Sequence, residues 1–254
     1  MEICTYFTDH FANQTVTQFF AKSLKTQLLH INKFKKSEKT FCSYGILRGT
    51  AEAIKSSKNF IYLDHGFFEA SSRSFTENKN TVVKVLDGYF RIISNDLYFN
   101  SNYFNIDKTR FNSLKINLKE LNKNAEYIIL SEPTENTLNF LGIINWTNDT
   151  INEIKKYTDR EIIVHNKFSK TPLSELLKNA HAFVSLQSTA GYKAIIEGIP
   201  AYFTHESLKK YGNIANIEKP LLNHDVLYLA SNSQWRLKEF FDDDFKNYVR
   251  DISS

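Results

Sequence analysis

Cysteine is nearly absent: Cys4 and Cys42 are the two in 254 residues. Both sit in apolar, strand-like runs and neither has metal-ligand spacing, so buried, reduced thiols in a cytosolic protein fit better than a disulfide framework. The seven histidines are scattered, and Asp242-Asp243-Asp244 lies on a surface helix where solvation is the simpler fate, so no metal is expected. No charged-then-apolar leader opens the chain, and no apolar run approaches the ~20 residues that span a bilayer, which reads as a soluble, cytoplasmic protein. Neither a Gly-x-Gly-x-x-Gly fingerprint nor a Walker-type loop is present, which argues against a dinucleotide oxidoreductase and a P-loop kinase. A Gly-x-Ser-x-Gly elbow is missing too, as are internal repeats and low-complexity tracts.

What is present is core-forming material. Hydrophobic residues make up 42% of the chain and aromatics 14%, with 21 Phe and 13 Tyr. That suffices for one large α/β domain or two small ones. The net charge of +4 is unevenly placed. Residues 1–124 hold 18 Lys and Arg against 11 Asp and Glu, whereas residues 125–254 hold 14 against 17. A basic front half and a slightly acidic back half suggest two lobes with different ligands. The basic lobe reads either as a polyanion-binding surface or as a lysine-rich soluble one.

The stretch from Ala180 to Thr204 organises the back half. Ala182–Leu186 is an apolar strand, Gln187-Ser188-Thr189 brings hydroxyls to a helix start, and Ala190–Glu197 is the helix. Gly198 and Pro200 stop it, and Ala201–Thr204 resumes as a strand. A strand's carboxyl end that feeds a helix N-terminus is where open α/β sheets bind anions. A phosphate-bearing ligand at Ser188-Thr189 is one reading; an ordinary strand–helix–strand unit with a Ser/Thr cap is the other.

The front half repeats the theme. Glu2–Phe7 is a strand ending in Thr8-Asp9-His10, and helical spacing runs from Asn13 to about His30 through Val16, Phe19, Phe20, Leu24 and Leu28. Phe41–Ile46 is a second strand leading into Gly45–Thr50, with Arg48, and a helix over Ala51–Ser57. Phe60–Leu63 is a third strand ending in Asp64-His65. This alternation is the pattern of a doubly wound parallel sheet. Ser71–Asn80 reads as a polar loop, and Val82–Leu86 and Tyr89–Ile93 as strands about a turn at Asp87-Gly88. Leu114–Leu121 reads as a helix, and Asn122–Ala125 as the boundary between lobes. The expected back half continues with a strand at Glu126–Leu130, a helix at Asn148–Tyr157, a strand at Glu161–Val164, and helices at Pro172–Lys178, Asp225–Phe241 and Phe245–Ile252.

In a parallel sheet the strand exits share an edge. Asp64 or His65 then becomes a candidate general base for an acceptor hydroxyl, and Arg48 suits an anion or a carboxylate. The plainer alternative makes Asp64 a turn cap and His65 a satisfied, partly buried ring. In the back half the exits Ser131–Thr134, His165–Lys167 and Gln187–Ala190 converge likewise. Lys167 beside a helix N-terminus suits a diphosphate. Glu197 is placed to reach a ribose hydroxyl or, more simply, stands exposed on its helix.

The runs Tyr44–Thr50, Phe60–Phe68, Arg91–Asn95, Leu186–Pro200, Ile217–Pro220 and Leu229 to Trp235, in this order, resemble small phage-type GT-B glycosyltransferases. The Leu186–Pro200 run is also similar to the serine-containing turn and helix of capsule-type transferases. The resemblance spans most of the chain, and it implies two Rossmann-like doubly wound lobes with a cleft between them. Lobe 1–124 would take the acceptor and lobe 125–254 the nucleotide sugar. It implies sugar transfer from a nucleotide-sugar co-substrate to a hydroxyl, with no other cofactor and no metal required. Ser131, Thr134, His165, Lys167, Gln187, Ser188, Thr189 and Glu197 would bind the donor. Asp64, His65 and Arg48 would be catalytic, and Asp9, Arg73 and Arg91 would contact the acceptor. Phage relatives imply hydroxymethylated pyrimidine in DNA as acceptor, in a host cytoplasm, which agrees with the basic front half. A surface or capsular glycan is the other acceptor class. A binding module without chemistry and a sugar-nucleotide epimerase are the alternatives of other kinds. Three departures stand out: His165 where such families carry Arg before the lysine, Gln187 in place of Asn, and a short tail after Ile252.

Overall fold

The computed structural model describes residues 2–78, 81–100, 103–122 and 125–253, with backbone alone over 69–78, 81–85 and 87. The chain divides into two compact units, Met1–Asn105 with Ala230–Ser254, and Ile106–Leu229. The expected boundary at 122–125 therefore falls inside the second unit, and the closing stretch belongs to the first.

The first unit opens with β1 (Ile3–Phe7), α1 (Phe11–Leu24), β2 (Gln27–His30), β3 (Thr40–Tyr44), α2 (Thr50–Ser56), β4 (Phe60–Asn78) and β5 (Thr81–Ser94). β1 pairs in parallel with β2 and β3, and β3 with β4. The long helix expected to run to His30 stops at Leu24. Lys25 caps it in the left-handed region (φ 54°) and donates its N–H to the Ala21 carbonyl, and Gln27–His30 instead extends the sheet beside β1. Leu28, which fits helical spacing, serves the strand equally well, because one apolar position cannot tell the two periods apart.

β4 and β5 also differ from expectation. Of the supposed loop Ser71–Asn80, residues 71–78 are strand, the last two lying outside the described residues, and the expected turn at Asp87-Gly88 lies within the partner strand of the same antiparallel ladder, with Asn78 opposite Thr81 and Gly88 opposite Ala70. Asp64 and His65 accordingly lie within β4 rather than at a strand end. Just beyond them the ladder breaks: Gly66 to Glu69 bulge between the pairs His65–Phe90 and Ala70–Gly88. Bulges of this kind re-aim neighbouring side chains.

The second unit holds α3 (Thr109–Ser113), β6 (Tyr127–Ser131), α4 (Glu135–Leu141), α5 (Trp146–Ile154), β7 (Ile162–His165), α6 (Leu173–Leu176), β8 (Ala180–Ser185), α7 (Thr189–Ile196) and β9 (Ala201–Phe203). Its sheet is parallel throughout, in the order β7-β6-β8-β9. Ile128, Leu130, Ala182, Val184 and Leu186 pack with Trp146, Ile154 and Tyr202. The helix expected over Leu114–Leu121 is not formed: α3 ends at Ser113 and the residues that follow are a non-helical strap. That strap docks on the end of α7, with Lys119 N donating to Ile196 O (2.9 Å) and Asn122 N to Gly198 O (3.1 Å).

The single helix expected over Asp225–Phe241 is three elements: α8 (Asp225–Asn232), β10 (Gln234–Arg236) and a 3-10 turn over Leu237–Phe241, followed by α9 (Asp243–Ile252). β10 pairs antiparallel with β5 and completes the first unit's sheet, in the order β10-β5-β4-β3-β1-β2. Phe20, Phe240 and Phe245 fill the core beneath it, the last two stacked at 4.4 Å. Cys4 and Cys42 are buried and unbridged. No helix among the described residues is long and apolar enough to cross a membrane.

Candidate functional site

In the first unit the loops after β1 and β3 meet β4 around a cavity of about 330 Å³. Its walls are Thr8, His10, Asn13, Tyr44 and the turn to Arg48, with Tyr62, Asp64 and His65. The three residues expected to be catalytic, Arg48, Asp64 and His65, all line it.

A buried asparagine that sequence reasoning passed over holds the cavity's frame. Asn13 Oδ1 accepts from Thr8 N (2.7 Å) and Asn13 Nδ2 donates to Tyr44 O (2.6 Å), so one side chain fixes both strand exits. Its signal was available: Asn13 lies one and two turns from Val16 and Phe20, a polar residue on the helix's apolar stripe. The β3 exit is bent sharply, with Gly45, Arg48 and Gly49 all left-handed (φ 73°, 62° and 88°). The Thr50 hydroxyl pins this turn by donating to Gly45 O (2.7 Å) and Leu47 O (2.8 Å). Arg48 is exposed and has no ion-pair partner among the described residues.

Asp64 is fully engaged. Its Oδ2 accepts from Tyr62 Oη (2.6 Å) and Arg91 Nη2 (2.8 Å), and its Oδ1 from the His65 N–H (2.8 Å). Arg91 is buried behind it, ringed by Tyr62, Phe67 and Tyr98, each with its ring centroid 5.6 Å from the guanidinium carbon. Burial works against the charge on Arg91, but Asp64 and the two tyrosines outweigh it and the guanidinium stays protonated. Burial pushes the Tyr44 and Tyr62 phenols well up, and the Asp64 charge adds to it. His65 is half-buried, stacked against Phe90 and edge-on to Tyr44, and its ring nitrogens have no hydrogen bond among the described residues.

The residues expected to contact the acceptor are not gathered there. Asp9 is exposed and pairs with His30 Nε2 (3.3 Å). Arg91 faces Asp64 rather than the cavity. The Arg73 side chain lies outside the described residues.

In the second unit the parallel register aligns Ser131 with both His165 and Ser185, so the exits of β6, β7 and β8 share an edge. Ser188 caps α7, its hydroxyl accepting from Ala190 N (3.2 Å). Thr189 is exposed at the first turn. Gln187 precedes them with its amide oxygen buried and unpartnered among the described residues. Thr134 caps α4. Glu132, also missed as a site organiser, ties the exits together: it accepts from Thr147 Oγ1 (2.8 Å) and Asn166 Nδ2 (3.1 Å). His165 Nε2 sits 3.2 Å from the Thr171 carbonyl. Lys167 is exposed, its ammonium 4.8 Å from the Phe168 ring. Glu197 stands apart from these. It is the C-cap of α7, roughly 12 Å along an eight-residue helix from Ser188, and is ion-paired with Lys119 of the docking strap.

Chemically, the second unit offers a helix N-terminus and a lysine, a combination suited to phosphate. The first offers an imidazole with unoccupied nitrogens beside a neutralised carboxylate, a combination suited to proton transfer. Among the described residues no group of three or more His, Cys, Asp or Glu gathers as a metal site.

No protein-family model matches the chain, and no curated protein does. Among solved structures it is similar to the KpsC beta Kdo 2,7 transferase of Thermosulfurimonas dismutans, with a TM-score of 0.54 and 9% identity over 96% of this chain and 99% of that one. It is similar also to the beta Kdo 2,4 transferase of the same organism's KpsC, with a TM-score of 0.50 and 9% identity over 99% and 98%. At this identity the likeness is one of fold: the chain shares the α/β fold of these structures, with one mixed sheet and one parallel sheet.

Proposed function

We propose that the protein is a glycosyltransferase that moves a sugar from a nucleotide-activated donor to a glycan hydroxyl. The observation that carries this reading is the first unit's cavity, where His65, its ring nitrogens without a hydrogen bond among the described residues, stands beside Asp64, whose charge Arg91 neutralises. In this reading the acceptor hydroxyl gives its proton to His65 as its oxygen attacks the sugar's anomeric carbon. The bond from that carbon to the donor phosphate oxygen breaks, and its electron pair leaves with the nucleotide. Asp64 holds the His65 backbone in place. The start of α7, capped by Ser188, and Lys167 receive the phosphate charge. The fold shared with two sugar transferases supports the reaction class.

A glycan is preferred to hydroxymethylated DNA as acceptor. The basic excess of the front half is the support for DNA, yet Arg48 is the one lysine or arginine on the cavity wall, and Lys25 lines a different cavity beside Glu2 and Ile3. DNA binders gather several cations around the reacting site.

The experiment is a thermal-shift screen against UDP, GDP, CDP, ADP and their sugars. A stabilising nucleotide raises the melting temperature because it binds the folded state alone. Transfer is then assayed with that donor on glycan and on hydroxymethylated DNA. No shift with any nucleotide would reject the nucleotide-sugar reading, and transfer to DNA alone would reverse the choice of acceptor.

A further inference from the structure

We propose that the cavity of the first unit recognises an anionic substituent on the acceptor, a carboxylate or a phosphate, through Arg48 and the Tyr44 hydroxyl. This deepens the transferase reading and rests on it for the word acceptor. The binding claim itself stands on the cavity.

The first observation is the charge on the walls. Asp64 is the one carboxylate there, and Arg91 cancels it at 2.8 Å from behind the wall. Arg48 remains uncompensated among the described residues, with the imidazoles of His10 and His65 and the phenols of Tyr44 and Tyr62 as the other titratable groups lining the space. The charged side chains on the cavity wall therefore leave a net positive charge, that of Arg48. The guanidinium's planar donors suit a carboxylate or a phosphate in two-point contact.

The second observation is independent of charge. The hydroxyl of Tyr44, a cavity-lining residue only 8% exposed, is buried with no hydrogen-bond partner among the described residues. Leaving such a group unpaired is costly, so a ligand atom that accepts from it has a preformed advantage.

The third is the backbone. Arg48 is held in the left-handed region between Gly45 and Gly49, by a turn pinned through Thr50. A non-glycine residue kept there by its surroundings is the kind of local strain that accompanies function. The volume, about 330 Å³, lies at the lower end of small-molecule sites, ~300–1,000 Å³, so one substituted sugar unit rather than a polymer is the fitting occupant.

The test measures binding, not turnover, on the full chain by calorimetry. The probes are a disaccharide ending in glucuronic acid, one ending in glucose, and one ending in glucose 6-phosphate. At least one anionic probe is expected to bind ten-fold or more tightly than the neutral one, and which one it is names the source of the charge. Arg48→Gln is expected to erase that preference and Arg48→Lys to keep part of it. Tyr44→Phe is expected to weaken the anionic probe several-fold while leaving the melting temperature of the free protein unchanged or raised. Equal binding of all three probes, no binding of any, or a preference that survives Arg48→Gln would overturn the proposal. If the anionic probe binds as described but no donor supports transfer, the transferase reading fails and the anion site stands.

Discussion

Buried Arg91 and half-buried Asp64 form an ion pair, Nη2 to Oδ2 at 2.8 Å, and the same carboxylate oxygen also accepts from the Tyr62 hydroxyl at 2.6 Å. The pair joins neighbouring antiparallel strands, since Asp64 and Arg91 lie opposite each other in the β4–β5 register. It puts a neutralised carboxylate behind His65.

Breaking one side of the pair strands the other. Arg91→Met is expected to lower stability, by less than the ~3–5 kcal/mol of a fully buried pair, because Asp64 is 23% exposed and keeps its bonds from Tyr62 and the His65 N–H. The double variant Arg91→Met with Asp64→Asn is expected to recover a large part of that loss. Urea unfolding of the three proteins measures it, and a purely additive double variant would show that the two side chains are not coupled.

Asn13 predicts a second coupling. Asn13→Ala leaves the Thr8 N–H and the Tyr44 carbonyl unpaired in a buried setting, at about 1–3 kcal/mol for each group left unpaired. Asn13→Asp keeps the acceptor for Thr8 but turns a carboxylate oxygen toward the Tyr44 carbonyl, and is expected to be worse than Ala. Chemical denaturation orders the two variants; equal stability of wild type and Asn13→Ala would mean the loops are held without it.

Gly198 ends α7 at φ 82°, and a Cβ there would fall on the Glu120 carbonyl oxygen of the docking strap. Gly198→Ala is expected to cost more than the ~1–2 kcal/mol of left-handed strain alone, because the strap must also move. Hydrogen exchange at Lys119 and Asn122, whose amides bond to Ile196 and Gly198, should accelerate together. Unchanged protection there would show that the strap does not depend on this close approach.

Donor and acceptor residues should separate kinetically. Lys167→Ala is expected to raise the donor KM about ten-fold, the size of one charge-assisted contact, with the acceptor KM unchanged. His65→Gln is expected to lower kcat by about 10²–10⁴, the range of general-base catalysis, with donor binding intact. Loss of donor affinity in His65→Gln, or none in Lys167→Ala, contradicts the division of roles.

The acid limb of stability should report on Glu218. Burial raises its pKa, but hydrogen bonds from Thr158 and Arg160 and the charges of Arg160 and His181 outweigh burial, and it titrates below the ordinary glutamate value. A depressed folded-state value means that its stabilisation is present above the ordinary carboxyl range and is lost as pH falls through the depressed value. With the side chain 42% exposed, the effect is at most about 1 kcal/mol. Urea midpoints of wild type and Glu218→Gln should therefore differ at neutral pH and converge in acid; a constant gap would show that Glu218 does not titrate this way.

The local code was legible where the partner of a segment did not matter. Ala182–Leu186, the hydroxyls before α7 and the stop at Gly198-Ile199-Pro200 appear in the structure within a residue or two of where the sequence puts them, because a strand's apolar run, a Ser cap and a left-handed glycine are decided by neighbours in the chain. The candidate residues Arg48, Asp64 and His65 were legible for the same reason, each being a polar group next to an apolar run. Asn13 was not: its helical position is local, but its task is set by Thr8 and Tyr44, which only the packing of α1 on β1 and β3 brings within reach.

By itself, then, the sequence determined the alternating α/β character, the strands β1, β3, β6, β7, β8 and β9, and the capped start of α7. Tertiary structure alone decided that Gln27–His30 is a strand beside β1, that β4 and β5 run on as one bulged hairpin, and that Gln234–Arg236 pairs with β5 so that the closing stretch completes the first unit's sheet. The reason is the same in each case. A short run such as Gln234-Trp235-Arg236 has no period of its own strong enough to specify a strand, and its backbone takes that form because an open edge of β5 satisfies its hydrogen bonds.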